Sequence, residues 1–80
     1  MTYAVRTPAQ LASVLLGQRR ALRLTQQQAA AAVGLLPKTV SKLERSPSGA
    51  TLDSLFKLLS ALELELVLQP RNDPSTVREW

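Results

Sequence analysis

Apolar residues recur every three or four positions along most of the chain, then switch to strict alternation near residue 63. Leu11, Val14, Leu15 and Leu22 predict a first helix over about residues 8–22. Thr7-Pro8-Ala9-Gln10 opens it: a threonine cap, a proline at the first helical position, and a glutamine three residues past the cap. Thr25-Gln26-Gln27-Gln28 repeats that box ahead of Ala29, Ala30, Ala31, Ala32 and Val33, and alanine propagates a helix best of all residues. Gly34 then stops this second helix, about 26–33, by taking the left-handed conformation. Pro37 starts a third helix over about 37–45, with Val40 and Leu43 as its apolar stripe. Ser46-Pro47-Ser48-Gly49 has loop composition. Thr51 caps a fourth helix whose stripe is Leu52, Leu55, Phe56, Leu59 and Leu62, and Asp53 in its first turn suits the helix dipole.

From Glu63 to Gln69 the period falls to two, with Leu64, Leu66 and Leu68 on one face, which predicts a strand ended by Pro70. No other segment reads convincingly as its partner. A lone strand leaves its backbone groups unpaired, so it pairs with residues 2–5 of its own chain or with a second copy. The second arrangement is the expected one. Antiparallel copies of 63–69, meeting through Leu64, Leu66, Val67 and Leu68, would cover the fourth helices. The expected fold is therefore all-α: a compact four- to five-helix domain over 1–69, with one C-terminal β-strand used in dimerisation. Residues 70–80 are polar, contain two prolines and read as a flexible tail.

Eighty residues allow one domain, and 45% hydrophobic content suits a globular one. The absence of cysteine and histidine removes disulfides, thiolate chemistry and the usual zinc ligands, so no metal or cofactor is expected. A core this small gains from oligomerisation instead, so a homodimer is expected. The net charge of +4 is unevenly spread: +6 over residues 1–45, −2 over 46–80. A basic half of this kind suits a polyanion. Catalysis would need placed acids, bases or nucleophiles, and the six acids are scattered, so no enzyme and no catalytic residue are expected. No apolar stretch approaches the roughly 20 residues of a membrane span, and no secretory signal is visible. A cytoplasmic protein without membrane contact is expected.

The second and third helices, joined by a tight turn at Gly34, have the spacing of a helix-turn-helix unit. Small Ala30 lets the helices cross closely, Val40 and Leu43 pack the third back onto the second, and Ala29, Val33 and Leu35 fill the remaining apolar positions. An ordinary helical hairpin is the alternative, but the exposed face stays basic. Lys38, Thr39, Ser41 and Lys42 suit base edges, since lysine donates to guanine O6 and N7 and hydroxyls contact bases or phosphates. Arg20, Arg23 and Arg45 suit the backbone. Double-stranded DNA is the partner this pattern predicts.

Thr25-Gln26, Gly34, Lys38-Thr39-Val40-Ser41 and Leu43-Glu44 also resemble the phage-repressor class of lambda-repressor-like domains, the Xre or Cro/C1 type, over residues 8–62. The resemblance implies that the third helix enters the major groove and that Gln26, with Gln27 beside it, meets the phosphate backbone. It also implies an internal ion pair between Arg19 and Glu44, for which surface charge is the alternative. Within that class, Thr7-Pro8-Ala9-Gln10-Leu11-Ala12, Leu55-Phe56-Lys57, Leu62-Glu63-Leu64 and Glu79-Trp80 look like the HipB-type antitoxins. Those proteins dimerise, repress their own operon and bind a HipA-type Ser/Thr kinase toxin. A two-fold dimer predicts an inverted-repeat operator and, through it, association with the nucleoid. The resemblance implies toxin contact by Trp80 with Val77; a disordered tail without a role, or Trp80 packed on its own domain, is the alternative. A stand-alone phage-like repressor without a toxin is the alternative. One departure stands in the turn: Leu36 and Pro37 occupy positions where the family often carries polar, base-reading residues.

Overall fold

The computed structural model describes residues 2–71. They form four α-helices, α1 (Pro8–Ala21), α2 (Gln26–Val33), α3 (Pro37–Arg45) and α4 (Leu52–Ala61), with one 3-10 turn at Pro47–Gly49. Three helix starts are capped by threonine, as the sequence predicts. Thr7 Oγ1 accepts from the Gln10 N–H at 3.1 Å, and Gln10 Oε1 accepts from the Thr7 N–H at 3.2 Å. The same reciprocal pair joins Thr25 and Gln28 at 3.0 and 2.8 Å. Thr51 Oγ1 accepts from the Ser54 N–H at 3.1 Å. Each cap satisfies a donor the helix leaves open and stabilises it by about 1 kcal/mol.

Three of the four helices also end alike. Arg23, Gly34 and Glu63 follow α1, α2 and α4 with φ of 60°, 72° and 58°. Each precedes a leucine whose N–H donates to the carbonyl five residues back: Leu24 to Arg19 at 3.1 Å, Leu35 to Ala30 at 2.9 Å and Leu64 to Leu59 at 2.9 Å. The left-handed residue reverses the chain, and the half-buried leucine packs back on the core. Glycine adopts this conformation freely, whereas a residue with a Cβ, such as Arg23 or Glu63, adopts it at a cost of roughly 1–2 kcal/mol.

One buried cluster joins the elements: Leu15 of α1, Ala29 and Ala30 of α2, Val40 and Leu43 of α3, Leu58 and Leu59 of α4, and Leu62 just beyond it. Gln18 Nε2 donates to the Leu62 carbonyl at 3.0 Å, tying α1 to the end of α4. Among the described residues, no helix is long and apolar enough to cross a membrane.

Two expectations need correction. The α4 stripe is turned from the predicted one. Leu58, absent from the predicted stripe, is fully buried, while Leu52 and Phe56 are 69% and 50% exposed. Apolar residues at 52, 55, 56, 58, 59 and 62 offer more than one helical stripe, and the one that meets α2 wins. The second correction concerns residues 63–69, which form no strand among the described residues. Glu63 is the left-handed end of α4 and Leu64 belongs to its cap, so the alternation begins on a helix-ending motif. Beyond it Leu66, Val67 and Leu68 are exposed and without regular structure. Residues 2–5, the other candidate, are also without regular structure. Val77 and Trp80 lie outside the described residues.

Candidate nucleic-acid interface

The third helix is fixed by a polar knot on its inner side. Glu44 Oε2 accepts from Arg19 Nε at 2.6 Å, and Oε1 accepts from Arg19 Nη2 at 3.0 Å. Arg19 Nη1 donates to the Leu24 carbonyl at 2.8 Å. Gln26 Nε2 donates to Glu44 Oε1 at 3.0 Å. The two charged side chains are 12% and 2% exposed, so solvent screens them little. The ion pair implied by the family resemblance is therefore present, and it links α1, the α1–α2 turn, α2 and α3. A carboxylate only accepts, so it holds the Gln26 amide nitrogen inward and leaves that group's second N–H available.

This knot has an electrostatic consequence. Glu44 is the one acid among residues 1–45, and it is turned inward and paired. The outer side of α3 therefore shows its cations without a competing carboxylate. Lys38, Lys42 and Arg45 are exposed there, and Thr39 and Ser41 are half-buried beside them. Arg45 Nε donates to the Ser41 carbonyl at 3.3 Å, which keeps the guanidinium along the helix. Lys38, Thr39, Lys42 and Arg45, with Ser46, Ala50 and Ser54, line an open depression of about 650 Å³ between α3 and the start of α4. Gln27 at the start of α2 and Arg20 and Arg23 near the end of α1 are exposed.

The structure thus brings Lys38, Thr39, Lys42 and Arg45 to one concave face, with Ser41 on the same helix. Gln26 stands apart from them, half-buried and held by Glu44. Sequence reasoning missed Ser46, Ala50 and, in the first turn of α4, Ser54 as part of this face, because the loop that brings them there has low periodicity and gives no sign of which way it folds. It also missed the Gln26–Glu44 contact, since residues 18 positions apart leave no periodic trace.

A short capped helix, a left-handed turn at Gly34 and a second helix with cations outward define a helix-turn-helix DNA-binding domain. The helix-turn-helix family profile HTH_3 matches residues 17–69. Antitoxin HipB of Escherichia coli strain K12 is 36% identical over 62 residues, covering 78% of this chain and 70% of that protein. Antitoxin HipB of Escherichia coli O6:H1 strain CFT073 is 34% identical over 62 residues, covering 78% and 66%. A chain of a solved HipA-HipB-O2-O3 complex superposes with a TM-score of 0.85 at 31% identity, covering 89% of this chain and all of that one. A chain of a HipB-O4 20mer complex gives 0.84 at 31% identity, with the same coverage. This chain belongs to the HipB-type antitoxins of the helix-turn-helix family.

Proposed function

We propose that this protein is a sequence-specific DNA-binding repressor that serves as the antitoxin of a HipA-type Ser/Thr kinase and represses its own operon. The observation that carries the DNA half is the outward face of α3, where Lys38, Lys42 and Arg45 stand exposed while Glu44 is neutralised inside. Lys38, Thr39, Ser41 and Lys42 read base edges in the major groove, and Arg45, Gln26 and Gln27 hold phosphates. The toxin half rests on the family: similar chains are solved with HipA and with the O2, O3 and O4 partners. Such a protein works in the cytoplasm, on the nucleoid.

The protein acts as a homodimer. Leu66, Val67, Leu68, Leu52 and Phe56 all leave apolar surface exposed in the single chain. Antiparallel pairing between two copies of the part of 63–69 that lies beyond the α4 cap would give its backbone groups partners and cover that surface, with Leu64 at its inner end. A two-fold dimer presents two copies of α3 to successive major grooves, about 34 Å apart, so the operator is an inverted repeat. Val77 and Trp80, on the segment 70–80, dock on the kinase. A tryptophan in a polar segment suits that role, because it buries a large area for few frozen torsions.

The test mixes the full chain, a HipA-type kinase and an operator duplex, with mass read by light scattering after gel filtration. A complex containing two copies of this chain, kinase and DNA is expected. Deleting residues 75–80, or Trp80→Ala, should weaken kinase binding and leave DNA binding intact. Operator binding without any kinase binding would remove the antitoxin role and leave a plain repressor.

A further inference from the structure

Leu36 stands directly ahead of α3, with φ −86° and ψ 147°, as the residue that caps the helix without a side-chain bond. Its carbonyl accepts from the Thr39 and Val40 N–H groups at 2.9 and 3.3 Å, so its backbone is committed to starting the helix. Its neighbour Leu35 packs against the core. Successive side chains of extended backbone point to opposite sides, so Leu36 points outward, and it is 58% exposed. Pro37, also exposed, follows at the first helical position and its ring fixes φ there. The result is a rigid apolar tip at the N-terminal end of the reading helix, two residues before Lys38.

A single exposed leucine on a protein surface usually means nothing. Its position gives this one a meaning. The N-terminal residues of a reading helix are the ones that contact base edges in the major groove. Thymine alone adds a methyl group there. The other three bases carry no methyl group, and burying their donors and acceptors against leucine leaves polar groups without partners. We propose that Leu36 selects thymine in each half-site by packing on its 5-methyl group, beside the bases read by Lys38 and Thr39.

This inference rests on the DNA-reading role of α3, and the test separates the two. Duplexes that bind the full chain most tightly are selected from a randomised pool. In the best duplex each thymine is then replaced singly by deoxyuridine, which lacks only the methyl group. Binding is measured by fluorescence anisotropy for the wild type and for Leu36→Ala, whose exposed site leaves the core untouched. One symmetry-related thymine pair should be sensitive in the wild type: about fourfold weaker with one uracil and about fifteenfold with both, the effect of losing one buried methyl per half-site. Leu36→Ala should bind the thymine duplex as weakly as the wild type binds the doubly substituted one, and uracil at that pair should then cost nothing further. The Leu36 assignment is overturned if no thymine is sensitive, or if Leu36→Ala keeps the wild-type sensitivity. A chain that selects no sequence from the pool defeats the DNA reading itself.

Discussion

Arg19→Ala tests the polar knot that holds the reading helix. The substitution removes three hydrogen bonds: two to Glu44, at 2.6 and 3.0 Å, and one to the Leu24 carbonyl at 2.8 Å. Glu44 then keeps only the Gln26 amide while its side chain remains 2% exposed. Breaking a buried pair from one side costs about 3–5 kcal/mol, because an uncompensated charge stays behind. A chain of 80 residues has roughly 4–12 kcal/mol of stability to lose. The variant should therefore melt well over 10 °C lower, at about 4–8 °C per kcal/mol for a domain of this size. The double variant Arg19→Met, Glu44→Leu should recover much of the loss, since apolar replacement of both partners is often neutral or stabilising. The contrast is the Asp53–Lys57 pair on α4, 3.1 Å apart with both side chains exposed, where Asp53→Ala should cost less than about 1 kcal/mol. Urea unfolding followed by circular dichroism, at one fixed protein concentration, measures all three. An Arg19→Ala cost no larger than that of Asp53→Ala would refute the reasoning.

Further outcomes follow from the helix ends and from α4. Gly34→Ala should cost about 1 kcal/mol through its φ of 72° alone, since nothing lies within 4 Å of an added Cβ, and thermal melts check it. Glu63→Gly should stabilise the fold by up to about 1 kcal/mol by relieving a φ of 58°, measured by the same melts. Leu58→Ala should cost about 2–5 kcal/mol in urea unfolding, because Leu58 is fully buried.

The local parts of this fold were legible in the sequence because their signals are local. Thr7, Thr25 and Thr51 cap as their spacing predicts, and Gly34 ends α2 with a positive φ. The Lys38–Arg45 face was legible too, since Val40 and Leu43 fix which side of α3 is buried. What failed depends on partners distant in the chain. Leu58 and Phe56 exchange places between core and surface according to where α2 lies, and no periodicity within α4 decides that. The alternation over 63–69 is real in the sequence, but a strand exists only with a neighbour, and Glu63 and Leu64 are taken by the end of α4. The left-handed turn at Arg23 escaped notice because arginine carries no signal for it, whereas glycine does.

The central claim is that α3 reads DNA through Lys38 and Lys42. The most direct measurement is the affinity of the Lys38→Ala, Lys42→Ala double variant for the selected operator duplex, read by fluorescence anisotropy beside the wild type. Both residues are exposed, so circular dichroism should show an unchanged fold. Each base-reading lysine is worth about 1–3 kcal/mol, so the double variant should bind at least about 30-fold more weakly and discriminate less between operator and random DNA. A folded double variant that binds the operator with wild-type affinity and selectivity would contradict the account.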